Sequence, residues 1–182
     1  MFDLFKLKAE AAGSEVHRFK KDADALQFIR GFLKQEEIQD TPGLYAVWAD
    51  NALMPKAGTV SFENPGVKFL VTRDSANNAK LGITKMDWGM AETGTVIRNS
   101  TSVETRLASS LPEIHIACLE TGQILPDLPT ILKKIHPHEP SCFSFITGPS
   151  RTADIERVLA IGVHGPKRLV ILCIDTLESA GQ

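Results

Sequence analysis

Hydrophobic and polar positions along the chain follow two different patterns. Between residues 14 and 37, apolar side chains recur at intervals of three or four with charges between them, which predicts an amphipathic helix. Short continuous apolar runs follow, bounded by turn residues and rich in β-branched and aromatic side chains, which predicts strands. These runs are LYAVWA (44–49), VKFLVT (67–72), GTVIR (94–98), IHIACL (114–119), SFIT (144–147) and RLVILCI (168–174).

Helical spacing reappears between the strands of the second half. It covers residues 102–110, the region around 128–136, and residues 152–161. Apolar strands that alternate with helices predict βαβ units and a parallel sheet covered on both faces. We therefore expect an α/β fold whose mostly parallel sheet is sandwiched by helices.

The turn signals suggest how the chain is organised. Clusters of proline, glycine and asparagine interrupt the first strands, which predicts a small β-rich insertion around residues 50–95. We expect an N-terminal helical segment over residues 1–42, a main domain over 43–178 and a loose tail over 179–182.

Composition narrows the class of protein. The chain has 182 residues, a net charge of −2, and hydrophobic and charged fractions of 43% and 23%, which are ordinary for a globular protein. Such a charge argues against a general nucleic-acid surface. No apolar run approaches the ~20 residues of a membrane helix, and the N-terminus lacks the apolar region of a secretion signal. The expected compartment is the cytoplasm.

Cysteine and histidine patterns give little sign of a metal centre. Cys118, Cys142 and Cys173 are far apart and form no C-x-x-C pair, so we expect buried free thiols in strands and no iron–sulfur cluster in this chain. The segment His136-Pro-His138-Glu139 carries possible metal ligands, but its prolines favour a polar loop. The P-loop, the GxGxxG fingerprint, GxSxG and HExxH are all absent.

The stretch ITGPSRTADIE (146–156) is the first candidate site. It follows a strand, and ligands of open α/β sheets bind beyond the carboxyl ends of strands. A helix beginning near Ser150–Thr152 would offer free N–H groups to an anion, and Arg151 would add donors for a carboxylate or phosphate. The alternative is a plain helix cap by Ser150, with Asp154 as a favourable first-turn acid. The spacing leaves both open.

Two further candidates contain glycine. In AETGT (91–95), Glu92 could act as a base or nucleophile, while the alternative is a turn with a solvated acid. In GVHGP (162–166), His164 could titrate near neutrality, while the alternative is a turn histidine.

Taken together and in this order, the motifs resemble the LUD-domain family, and within it the lactate utilization protein C (LutC/YkgG) branch. The resemblance covers roughly residues 43–175, and Arg98 and Asn99 depart from it, since an apolar strand is more usual there. Its carriers are Gly82-Ile-Thr84 with Asp87, AETGT, Leu111-Pro-x-Ile-His115-Ile, ITGPSRTADIE, and GVHGP with the strand RLVILCID.

The resemblance implies a fold like that of the NagB/RpiA/CoA-transferase superfamily and a role in oxidation of L-lactate to pyruvate. It implies that this chain is the small subunit, without a cofactor of its own, and that iron–sulfur clusters belong to partner subunits. We expect a small carboxylate or phosphate ligand and a catalytic Glu92. The expected ligand-binding residues are Thr84, Thr93, Gly94, Thr95, Gly148, Ser150, Arg151, Thr152, Asp154, His164 and Gly165.

Three functional hypotheses remain at this point. The first is an accessory, ligand-binding component of a lactate-oxidising complex. The second is a stand-alone enzyme of the sugar-phosphate isomerase or acyl/CoA-transfer type, with Glu92 as base or nucleophile. The third is a fold kept for protein–protein contact.

Overall fold

A computed structural model describes residues 1–50, 53, 66–135, 142–153, 159–162 and 164–176. The helices are α1 (Phe2–Ala11), α2 (Asp22–Gln35), α3 (Arg73–Asn77), α4 (Val103–Ser110) and α5 (Leu128–Leu132), with a 3-10 helix at Thr121–Gln123. The strands are β1 (Glu15–Lys21), β2 (Tyr45–Trp48), β3 (Val67–Lys68), β4 (Ala79–Met86), β5 (Trp88–Met90), β6 (Thr95–Asn99), β7 (Ile114–Glu120), β8 (Ile124–Leu125), β9 (Phe143–Ile146), β10 (Arg151–Ala153), β11 (Leu159–Ile161) and β12 (Arg168–Thr176).

A six-stranded sheet in the order β1-β12-β7-β4-β2-β3 forms the centre, and every neighbouring pair in it is parallel. Side chains of successive strand residues point to opposite faces, so the continuous apolar runs feed two cores. One face packs against Ala25, Ile29 and Leu33 of α2. The expected α/β fold with a mostly parallel sheet flanked by helices is confirmed.

The opposite face is covered by α1 and by a second sheet. That sheet has the order β8-β5-β6-β9 and mixes parallel and antiparallel pairs. Phe5 and Ala9 of α1 share a buried cluster with Val96 of β6 and with Leu119 and Ile171 of the central sheet. The β-rich region predicted around residues 50–95 therefore contributes β5 to this second sheet, with β6 following at Thr95–Asn99, whereas β3 and β4 from the same region belong to the central sheet.

The helix predicted over residues 14–37 is wrong in its first half. Residues 22–35 are helical as α2, but residues 15–21 form β1, which pairs in parallel with the edge of β12. Helical spacing in a seven-residue stretch is weak evidence, because pairing with an exposed strand edge decides the conformation. Arg18 strengthens the pairing by donating to Asp175 across the two strands at 2.9 Å.

The helix predicted over residues 152–161 is also wrong where the structure describes this segment. Residues 151–153 and 159–161 are β10 and β11, and they pair with each other antiparallel. The backbone N–H and C=O groups of the two strands form hydrogen bonds with each other, so these groups do not require a helix to be paired. The strand predicted at 67–72 is shorter than expected, because β3 ends at Lys68 and Thr72 caps α3 through Ser75.

The metal ligands considered at residues 136–139 and the tail over 179–182 lie outside the described residues. Within the part of the chain that is described, no helix is both long and apolar enough to cross a membrane.

Gly82 lets α4 lie directly on the sheet. A Cβ atom at this position would stand 1.8 Å from the carbonyl oxygen of Ala108 in α4 and 3.0 Å from Cγ of Pro112. Only glycine permits such a close approach of helix backbone to strand backbone. The position of α4 above β4 and β7 therefore depends on this residue.

Gly82→Ala should lower the free energy of unfolding by about 3 kcal/mol, because the helix must move off the strand to admit the methyl group. The measurement is urea denaturation followed by circular dichroism. Gly31→Ala is the matched control: it lies in α2 with nothing within 4 Å of the added atom, so it should raise the same quantity by about 0.5–1 kcal/mol. Unchanged stability of Gly82→Ala would contradict the close approach.

Candidate functional site

A cleft of about 460 Å³ opens between α4, β9 and the amino-terminal ends of β7 and β12. Its volume lies in the range of small-molecule sites. Fifteen described residues line it. They are Arg106, Ser109 and Ser110 of α4, His115 of β7, Leu169 of β12, Ser144, Phe145 and Ile146 of β9, the loop Thr147–Ser150, and His164, Gly165 and Pro166.

Two neighbouring sequence motifs, ITGPSRTADIE (146–156) and GVHGP (162–166), meet at this cleft. Gly148 and Ser150 of the first motif line it together with His164 and Gly165 of the other. The backbone joins the two segments, since Ser150 donates its N–H to the Pro166 carbonyl at 2.8 Å and accepts from the Gly162 N–H at 2.9 Å. Four of the expected ligand-binding residues are therefore neighbours on one wall.

The AETGT motif reaches the same loop through a chain of hydroxyl groups. Thr93 Oγ1 lies 2.6 Å from Thr95 Oγ1, and Thr95 Oγ1 lies 2.8 Å from Thr147 Oγ1. Thr95 is 2% exposed, and Thr147 lines the cleft. The two predicted threonines thus support the cleft from behind its wall and do not line it themselves.

His115 is the least expected member of the cleft. It stands in the otherwise apolar strand IHIACL, is fully buried, and lines the cleft from below. Its Nε2 lies 2.8 Å from Oγ1 of the equally buried Thr84, while its Nδ1 has no hydrogen-bond partner among the described residues. Burial lowers the pKa of His115 to about 4, so the ring is neutral at pH 7.

Sequence reasoning gave His115 no role, although the motif LPxIH contains it. The signal was the polar residue inside an apolar strand, which requires a buried partner. Thr84, which the sequence did single out, supplies that partner.

Glu92, the tentative catalytic residue, lies outside the cleft. Its side chain is exposed, and its backbone N–H donates to the Pro126 carbonyl at 3.0 Å. The carboxylate is not among the groups that line the cleft. The geometry therefore gives Glu92 no reacting partner there.

Arg151 and two expected binding glycines face α1 instead. The exposed guanidinium of Arg151 donates from Nη2 to the carbonyl oxygen of Ala12, just after the last residue of α1, at 2.8 Å. Gly94 and Gly148 have positive φ angles of 69° and 71°. A Cβ at Gly94 would stand 2.1 Å from the Ala9 nitrogen, and one at Gly148 would stand 2.4 Å from the Ala12 oxygen.

The anion site was expected at a helix that begins near Ser150–Thr152, but residues 151–153 form a strand. Ser150 caps no helix, and Arg151 and Thr152 belong to β10. Arg151 is engaged with the end of α1, where a cation is favourable. Asp154 lies outside the described residues.

Arg98, the departure from the family pattern, has a clear structural role. It donates to Asp87 at 2.9 Å and to Asp50 at 2.8 Å, and Asp50 also accepts from Thr105 of α4 at 3.1 Å. Because these aspartates follow β4 and β2, the arginine ties the second sheet to the carboxyl edge of the central sheet. β6 continues through Asn99, so the arginine does not end the strand.

The cysteines agree only partly with expectation. Cys118 and Cys173 are buried free thiols in strands, and burial raises the pKa of each to about 12. Cys142 is exposed and precedes β9, so the expectation of a buried strand position is wrong for it.

Comparison with known proteins places these features in a family. A family model described as LUD domain matches residues 2–174. Lactate utilization protein C 1 of Bacillus mycoides (strain KBAB4) is 41% identical over 106 residues, which cover 55% of this chain and 45% of that protein. The chain thus spans about half the length of the curated relatives it matches.

A longer match is lactate utilization protein C of Shouchella clausii (strain KSM-K16), which is 34% identical over 153 residues, or 77% of this chain and 67% of that protein. Among solved structures, the crystal structure of a DUF162 family protein from Deinococcus radiodurans superposes with a TM-score of 0.63 over 95% of both chains. At 15% identity, this likeness shows the fold alone.

The stability of the chain should fall in acid through His115. The pKa of His115 is about 4 in the folded chain, against an ordinary value of 6.5. Between these values the unfolded chain binds the proton and the folded chain does not, so stability is full above pH 6.5 and is lost as pH falls. The loss should reach about 3 kcal/mol by pH 4.

Urea denaturation of wild type and His115→Gln at pH 7, 5.5 and 4.5 measures this effect. The variant lacks the titrating ring, so the advantage of the wild type should shrink with falling pH. A constant difference between the two proteins across this range would show that His115 does not titrate abnormally.

Proposed function

This chain belongs to the LUD-domain family, and on that premise we propose that it acts in lactate utilization as a small ligand-binding component. The observation that carries the proposal is the cleft between α4 and β9, to which ITGPSRTADIE and GVHGP contribute adjoining walls. The names of the relatives supply the process, and the cleft supplies a place for a ligand.

The chemistry of the cleft suits a small carboxylate. Arg106 gives the cleft a positive charge. Among the described residues, its guanidinium group donates two hydrogen bonds, both from Nη1, to the carbonyl oxygens of Ser100 and Thr101. Nε and Nη2 therefore have no partner among the described residues and can receive an anion. Ser144 lines the same space and its hydroxyl can donate a further hydrogen bond, whereas the Ser110 hydroxyl already donates to the carbonyl oxygen of Arg106.

We further propose that electrons leave the ligand through iron–sulfur subunits that associate with this chain. The family resemblance assigns cluster chemistry to partner subunits, and this chain contributes the small-acid site. The alternative of an isomerase or acyl/CoA transferase that relies on Glu92 draws no support from the geometry, because that carboxylate is exposed and outside the cleft.

Deletion of the gene should abolish or strongly slow growth on L-lactate as the sole carbon source, and leave growth on pyruvate unchanged, because the proposed role lies upstream of pyruvate. Complementation with wild type and with Glu92→Gln should restore growth equally. The tagged chain should co-purify with iron–sulfur proteins recognised by their visible absorption.

Normal growth of the deletion strain on L-lactate would overturn the proposed function. Failure of Glu92→Gln to complement, with turnover of a phosphosugar or acyl-CoA by the isolated wild type, would favour the enzyme hypothesis instead.

A tryptophan at position 145 should report a ligand in the cleft. Phe145 lines the cleft and is 45% exposed, so Phe145→Trp is expected to fold and to place an indole beside the ligand. Titration with L-lactate should change its fluorescence to saturation. Leu132→Trp, on exposed α5 away from the cleft, is the control and should not respond; an equal response from both would place the ligand elsewhere.

A further inference from the structure

The buried imidazole of His115 has one ring nitrogen that the protein satisfies and one that it does not. Nε2 lies against Thr84 Oγ1, whereas Nδ1 has no partner in the described residues although the side chain is fully buried and lines the cleft. A buried polar atom without a partner costs free energy and calls for an explanation. We propose that Nδ1 accepts a hydrogen bond from a hydroxyl group of the ligand, so that the cleft selects a 2-hydroxy acid over the corresponding 2-oxo acid.

The choice of acceptor over donor follows from the neighbours of Thr84. Its hydroxyl lies 2.8 Å from His115 Nε2 and 3.5 Å from the sulfur of Met86, which can only accept. If Nε2 carries the proton, it donates to Thr84, and the threonine hydroxyl donates onward to Met86. If Nδ1 carries it, the threonine donates to Nε2, and an N–H group is left buried without an acceptor.

The first arrangement is the more stable of the two. With the proton on Nε2, the pair makes two hydrogen bonds, and with the proton on Nδ1 it makes one. The first arrangement leaves an acceptor nitrogen unpaired, whereas the second leaves an N–H group unpaired, which is rarer and more costly in protein interiors. Because the low pKa keeps the ring neutral at pH 7, Nδ1 then carries a lone pair that no described residue satisfies, and a ligand that reaches this buried atom from the cleft would have to supply the donor. Thr84 is a positioning residue in this scheme, since it fixes the tautomer and does not touch the ligand.

The chemical consequence is a difference between two acids of nearly equal size and charge. The hydroxyl group of a 2-hydroxy acid donates to Nδ1, while the keto oxygen of a 2-oxo acid can only accept and would face a lone pair. A site with an acceptor for that hydroxyl therefore discriminates against an analogue that lacks it, by the worth of one neutral hydrogen bond. This inference rests on the proposed function for the carboxylate, which Arg106 would hold.

The test compares L-lactate, pyruvate and propionate by isothermal titration calorimetry at pH 7. Wild type should bind L-lactate roughly five- to tenfold more tightly than pyruvate or propionate, as expected for one neutral hydrogen bond. His115→Gln keeps a polar group near the position of Nε2 and loses the one at Nδ1, so it should bind all three acids alike. His115→Asn places its amide near the position of Nδ1 and should restore the preference for L-lactate.

A second measurement reads the tautomer without any ligand. Nitrogen-15 chemical shifts of the imidazole should show the proton on Nε2 in wild type, and Thr84→Val should shift the tautomer ratio and weaken the preference for L-lactate. Thermal unfolding of each variant confirms that it is folded. If a histidine variant is unfolded, the nitrogen-15 spectrum of the wild type still decides whether Nδ1 is the acceptor.

The outcomes separate this inference from the proposed function. A proton on Nδ1 in the free wild type, or equal affinity for L-lactate and pyruvate, would overturn the inference while the cleft still binds a carboxylate. Absence of binding by all three acids would overturn the inference and the proposed ligand class together. Normal lactate growth of the deletion strain would overturn the proposed role in lactate utilization alone.

Discussion

The constraint on which this structure depends is a parallel sheet buried on both faces. Strands β12, β7 and β4 have helix α2 on one side and α1 with the second sheet on the other, so most of their side chains are shielded from bulk water. Such strands are usually made of apolar residues, and in RLVILCI every residue after the first is apolar and buried. A polar residue in such a strand must find its partners inside the protein, which is why His115 and Thr84 occur as a pair on adjacent strands.

The cleft exists because the covering layer on the second face is incomplete. Gly82 draws α4 onto the central sheet, and the end of α1 holds the 147–151 loop in place. Between these two supports, the amino-terminal ends of β7 and β12 line the cleft. Arg151 and the backbone of Gly148 contact the end of α1 and so support the wall of the cleft from outside, while Gly148 and Ser150 also line it.

The sequence allowed the fold class and six of the twelve described strands to be predicted, because buried parallel strands such as β7 and β12 leave a continuous apolar run. It did not predict β4, β5 or β8, and it failed at 15–21, 151–153 and 159–161, where short segments are strands only because a partner strand lies beside them in space. The four residues Gly148, Ser150, His164 and Gly165 were predicted as one site and lie together, because backbone hydrogen bonds of Ser150 join the two loops. Glu92 and Arg151 could not be placed from the sequence, because residue type does not tell which way a loop turns its side chains.

The buried pair also explains why a binding role fits this cleft better than acid–base chemistry. Burial holds the pKa of His115 near 4 and keeps the ring neutral, so it cannot act as a general acid at pH 7. The same burial makes a single hydrogen bond to its ring count for more than it would in water. In the proposed role, a fixed neutral acceptor in the cleft that Arg106 also lines would sort one small acid from another without changing either, and the chemical step would fall to the proposed electron-carrying partner.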